Sequence, residues 1–122
     1  MNKRAFLLFE VTLTVAILSL GLVFVIRSLS TSVRAAKASF NFTQAINLAY
    51  EKAFDLELES QTDGLQTLSG EGNFLDNNNF AWQYNVENLA YERLGKLTLD
   101  ISWKEGKRET GFDIITYVKT KE

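Results

Sequence analysis

The sequence predicts an α+β protein in which one long N-terminal helix, membrane-spanning over its first half, packs on a small antiparallel β-sheet. Three observations carry that prediction. Residues 6–26 are apolar except for Glu10, Thr12, Thr14, Ser19 and Gly21. Residues 28–58 contain neither glycine nor proline and are rich in alanine, and residues 80–118 hold three segments that alternate apolar and polar side chains. A helical period followed by a period of two is the pattern of a helix laid on one face of a sheet.

The 122 residues allow one domain plus an extension. Cysteine, histidine and proline are all absent. Without thiol or imidazole, the common zinc ligands and the Cys and His nucleophile–base pairs are missing, so no enzyme, no metal and no cofactor are expected. Thirteen basic against fifteen acidic residues give a net charge of −2, which creates no field to attract nucleic acid. A chain without thiols also tolerates an oxidising compartment.

The first element is a membrane span. As a helix, residues 6–26 would measure about 31 Å, against roughly 30 Å for the hydrocarbon core of a bilayer. A buried helix of a soluble core is typically shorter, and the remaining chain is too small to wrap one that is apolar all round. A cleaved secretory signal would use the basic start at Lys3 and Arg4 and the small-x-small triplet Ala36-Lys37-Ala38. The apolar run, however, exceeds the usual ~7–15 residues of such signals, and Glu10 places a carboxylate near its beginning. Lys3 and Arg4 on one side face Arg27, Arg34 and Lys37 on the other, so charge alone does not orient the span.

Glu10 is the residue that needs a partner. An ionisable group inside an apolar span costs about 2.5–3.5 kcal/mol at mid-helix, less near an end. Glu10 lies four residues past Phe6, about 6 Å along the axis. Either it snorkels to the headgroups, or it meets a cation from a neighbouring chain or a newly exposed amino terminus.

The stretch Lys3-Arg4-Ala5-Phe6-Leu7-Leu8-Phe9-Glu10-Val11 resembles the class III signal of type IV pilins and type II secretion pseudopilins. The resemblance implies a type IV pilin-like fold with residues 1–5 as a cleaved leader, 6–26 as the transmembrane half of the helix, 27–59 as its periplasmic half, and 60–122 as the sheet domain. It implies cleavage by prepilin peptidase between Ala5 and Phe6, N-methylation of the new Phe6 amine, and pairing of Glu10, at the fifth mature position, with such an amine during filament assembly. It places the leader in the cytoplasm and everything after Arg27 in the periplasm. The partners it implies are other minor and major pseudopilins, the peptidase and the inner-membrane assembly platform. Ala5 stands where the family usually has glycine, Leu7 replaces the common Thr or Ser, and no proline interrupts the helix, which leaves Gly21 as its weak point.

Beyond the span, the helix is predicted to continue to residue 59. Val33, Ala36, Phe40, Ile46 or Asn47, Tyr50 and Phe54 follow one helical stripe, while Ala35, Ala38, Phe42, Ala45, Ala49 and Leu56 follow another. Two stripes imply two partners, the chain's own sheet and a neighbouring subunit; one broad core face is the alternative. Residues 60–79 read as a loop with at most a short strand or turn at 65–68. Asp76 with Asn77, Asn78 and Asn79 lacks the spacing of a calcium loop and reads as a turn.

Residues 80–86, 97–103 and 112–118 are predicted strands, the last two joined by a hairpin within 104–111. Trp82 and Trp103 read as core rather than a ligand platform. Asp55, Glu57 and Glu59 scatter over a solvated helix surface and form no acid–base pair. The Trp-bearing strands, the charged turn and the closing Thr116-Tyr117 resemble the sheet of the I-type minor pseudopilins.

The expected function is thus that of a structural subunit in the tip complex, or at the initiation, of a periplasmic pseudopilus exporting folded proteins. A minor pilin of a type IV pilus or DNA-uptake machine shares the leader and sheet. A single-pass membrane protein with a ligand-binding sheet would dispense with Glu10 and keep its leader.

Overall fold

The structure, a computed structural model, describes residues 2–90 and 93–121. Helix α1 spans Lys3–Asp63, 61 residues without a break. Absence of proline, a single glycine and frequent alanine and leucine favour that continuity. Within the apolar stretch the hydroxyls return their hydrogen bonds to the helix itself: Thr12 Oγ1 donates to the Leu8 carbonyl, Thr14 Oγ1 to that of Glu10 and Ser19 Oγ to that of Val15, at 2.8, 2.8 and 2.7 Å. The chain divides into two compact units between Ser39 and Phe40. The first is helix alone, and it is long and apolar enough to cross a membrane, with none of its most apolar 18-residue window buried.

The second unit combines the rest of α1 with a four-stranded sheet: β1 (Ser69–Phe74), β2 (Asn77–Asn88), β3 (Leu94–Glu105) and β4 (Arg108–Lys119). The strands form an antiparallel meander in the order β1-β2-β3-β4. This is the α+β layout the alternating segments predict. Phe80, Tyr84 and Val86 of β2, Leu97, Leu99, Ile101 and Trp103 of β3, and Val118 of β4 are buried with Ala45, Ala49, Ala53 and Leu56 of α1 in one hydrophobic core. The opposite face carries Gln83, Asn85, Glu87, Asp100 and Lys104, all exposed.

Two boundaries differ from the sequence prediction. The helix runs past residue 59 to Asp63 and ends where Gly64 takes a φ of 77° and donates its N–H to the Ser60 carbonyl at 3.1 Å. Such a left-handed glycine closes helices because it carries no Cβ to clash. Residues 60–79 are mostly not a loop. Leu65 forms a single parallel bridge to Thr120, β1 begins at Ser69, and Asn77, Asn78 and Asn79 open β2, leaving Leu75 and Asp76 as the turn.

The fourth strand escaped the sequence pattern because glycines replace apolar residues on its inner face. Gly70 pairs with Tyr84 and Gly72 with Trp82, and the two rings lie across β1. A Cβ on Gly70 would stand 2.7 Å from Tyr84 Cε1, and one on Gly72 2.9 Å from Trp82 Cζ2. The aromatic rings of one strand thus supply the side-chain cover of the next. The β3–β4 turn is tighter than the charged stretch 104–111 implies. Only Gly106 and Lys107 lie between the paired Glu105 and Arg108, and Gly106 has the positive φ, 63°, that mirror-image hairpin turns need at their first position.

Replacing Gly70 by Ala forces the Tyr84 ring off β1. We expect a loss of about 1–3 kcal/mol in urea unfolding of the detergent-solubilised chain, followed by tryptophan fluorescence. Gly21→Ala, whose Cβ meets nothing within 4 Å, should cost nothing in the same assay.

Candidate functional site

At the N-terminal end of α1 the N–H groups of Ala5 and Phe6 both donate to the Asn2 carbonyl, at 3.1 and 3.3 Å, so the Ala5–Phe6 bond lies within the first helical turn. Glu10 follows Phe6 by four residues, which sets the two on one side of the helix a turn apart. Phe6 is 64% exposed, and its neighbours Leu7, Leu8, Phe9 and Val11 are similarly open. The nearby hydroxyls are satisfied by backbone carbonyls, whereas the Glu10 carboxylate has no hydrogen-bond or ion-pair partner among the described residues. Placed in hydrocarbon, it calls for a cation.

The second unit presents two faces of the same helix. Ala45, Ala49, Ala53, Leu56 and Ser60 are buried under the sheet. On the other side Phe40, Tyr50, Phe54 and Leu58 are 62%, 70%, 64% and 53% exposed. The two stripes read from the sequence are therefore not one broad core face. The stripe through Ala45, Ala49 and Leu56 meets the sheet, and the stripe through Phe40, Tyr50 and Phe54 lies open. Small side chains decide the choice: alanine lets the backbone approach the sheet, whereas a row of aromatic rings would hold it off. Phe42 sits at the margin, with its ring 5.6 Å from that of Phe112 and 6.3 Å from that of Trp103. Glu51, Asp55 and Glu59 form an exposed acidic row beside the open stripe.

Trp103 lies in the core, as the sequence reading expects, and Trp82 packs at its margin. Trp103 is buried, tilts against Phe80 at 5.7 Å, and donates its Nε1–H to Glu105 Oε1 at 3.3 Å. Trp82 is half-buried, stacks on Tyr84 at 6.0 Å and carries the Lys52 Nζ 3.8 Å from its ring centroid. Tyr84 in turn shares a 2.8 Å hydrogen bond with Thr67. A cation over an indole is worth about 0.5–1 kcal/mol at an open site.

One carboxylate departs from its sequence reading. Glu57 is half-buried, and its Oε1 accepts a 2.8 Å hydrogen bond from Thr116 Oγ1, tying α1 to β4. Asp55 and Glu59 are exposed as expected. The sequence signal for this tie is Thr116 itself, a hydroxyl at an inward position between Ile114 and Val118. Among the described residues no three or more Asp, Glu, His or Cys side chains are arranged to hold a metal.

Comparison of the chain with protein-family models, with curated proteins and with solved structures gave no match.

The open stripe contributes little to the fold of the unit that carries it. We expect the double substitution Tyr50→Ser, Phe54→Ser to shift unfolding stability by no more than about 0.5 kcal/mol, as for ordinary surface sites. Ala49→Leu, which overpacks the covered face, should cost about 1–3 kcal/mol in the same urea titration.

Proposed function

We propose that this chain is a minor pseudopilin, a structural subunit that joins or initiates the tip of a type II secretion pseudopilus. One observation carries the reading. Phe6 and Glu10 stand a single turn apart on an exposed apolar helix, directly behind a basic start, and that helix runs without interruption into the one that carries the sheet. In this reading prepilin peptidase cuts between Ala5 and Phe6 and methylates the new amine. That amine is the cation Glu10 requires, and their pairing sets the axial register between neighbouring helices. Until then the span holds the subunit in the bacterial inner membrane as a single-pass protein, with the sheet domain in the periplasm. The stripe of Phe40, Tyr50, Phe54 and Leu58 packs against other minor and major pseudopilins once the assembly platform extracts the subunit.

Support comes from mutual consistency of independent features. The helix is long and apolar enough to cross a bilayer, its hydroxyls at Thr12, Thr14 and Ser19 are satisfied internally, and Glu10 is the one acid within residues 6–26.

Two measurements test the reading. Intact-mass spectrometry of the chain from native membranes should find a mature form beginning at Phe6 and heavier by one methyl group. A chain retaining Met1, or one beginning at Ser39, would refute it. Separately, Glu10→Gln should insert into membranes normally yet lose most of its incorporation into pulled-down pseudopilin complexes, quantified against the parent. Equal incorporation would eliminate the charge-pairing role.

A further inference from the structure

The two edges of the sheet are protected very differently. β1 is short, carries two glycines, and its pairing with β2 shifts register between Asn73 and Phe74. β4 is twelve residues long and pairs with β3 from Leu94↔Lys119 to Glu105↔Arg108 without a shift. It has no proline, and no charged side chain points to the helix-covered face between Thr110 and Val118. Bulges, prolines, inward charges and covering segments are how proteins normally blunt an edge, because unpaired N–H and C=O groups invite another strand.

The hydrogen bonds at the end of β4 identify which groups are free. Thr120 donates its N–H to Arg93, on the β3 side. The Lys119 carbonyl accepts from the Leu65 N–H at 2.9 Å, and the Lys121 N–H donates to the Leu65 carbonyl at 3.4 Å, both on the opposite side. Extended backbone alternates its direction, so odd-numbered residues of β4 turn their N–H and C=O away from β3. Leu65 seals the last rung. Among the described residues no backbone partner covers the rungs at Glu109, Gly111, Asp113, Ile115 and Tyr117. Phe112 and Ile114, on the inner face beside this edge, are only half-buried.

We propose that the open edge of β4 is a strand-addition site for an extended segment of a different polypeptide, apolar at alternate positions and basic between them. Its apolar side chains would complete the cover of Phe112 and Ile114. Its basic ones would face Glu109 and Asp113. A second copy of this chain fits less well, because the solvent-side row of the free rungs holds two carboxylates and no cation to set against them. The main-chain bonds supply affinity and the alternating side chains supply selectivity, the usual division in strand addition. The site is separate from Phe6, Glu10 and the open helix stripe, so it stands or falls independently of the pseudopilin reading.

The test is amide hydrogen exchange by NMR on the full chain in detergent, with and without a capped peptide of about ten residues alternating lysine and valine. The peptide should slow exchange at Gly111, Asp113, Ile115 and Tyr117 by about tenfold or more. A glutamate–valine peptide should protect them much less. Ile115→Pro removes one outward N–H, which an edge strand tolerates, and should abolish the protection. Ile115→Lys, which leaves the backbone intact, should weaken it and decides the matter if the proline variant does not fold. The proposal is overturned if the four amides are unprotected, if protection falls instead on the helix around Tyr50 and Phe54, or if both variants behave as the parent. Sedimentation of a peptide-free dimer whose β4 amides are already protected would assign the edge to a second copy and overturn it equally.

Discussion

The close approach of a small-residue helix face to the apolar face of the sheet is the contact from which the rest of the second unit follows. Leu97, Leu99 and Ile101 of β3 are at most 1% exposed, and the apolar residues that α1 buries in the same core are mostly alanines, Ala45 at 0% and Ala49 at 2%. At about 25 cal/mol per Å² of apolar surface removed from water, three fully buried branched side chains are a large share of what a small sheet gains on folding. That approach is available only on the face where the helix carries alanine. It therefore also determines that Phe40, Tyr50, Phe54 and Leu58 point elsewhere.

The sheet solves the same steric problem in reverse. On its inner face β1 contributes glycine, and the rings of Trp82 and Tyr84 spread over it. Lys52 and Thr67 then hold those rings, one over the indole and one at the phenol. Glu57 and Thr116 pin the helix to the far strand. The polar contacts are thus few and lie at the margin of the apolar core, where their orientation fixes the helix on the sheet without charging its interior.

The first unit presents a different kind of surface. Its side chains are exposed along the whole apolar stretch, a surface that water would penalise and a bilayer would accept. The hydroxyls of Thr12, Thr14 and Ser19 are answered within the helix. Glu10 is not, and a helix that neutralises three polar groups internally while leaving a carboxylate outward concentrates its demand for a partner at one position.

Much of this was legible in the residues. Composition and periodicity alone delivered the α+β class, an N-terminal helix long and apolar enough to cross a membrane, three of the four strands and the burial of Trp103, because each rests on local patterns of hydrophobicity and turn chemistry. The special position of Glu10 was equally legible, since an acid in an apolar run is a local contradiction. Other features were decided only when distant segments met. Gly70 and Gly72 read as loop residues until the rings of β2 are placed over them. The two helix stripes were equivalent by period until the sheet took the one lined with alanine. Glu57 was a surface carboxylate until Thr116 arrived from β4, and the free rungs of β4 emerged only from the way Leu65 closes its end. A sequence determines which faces can be buried and where a charge is out of place; which neighbour covers a face, and which edge remains open, depends on contacts between residues far apart in the chain, where steric fit selects among patterns that hydrophobicity leaves equal.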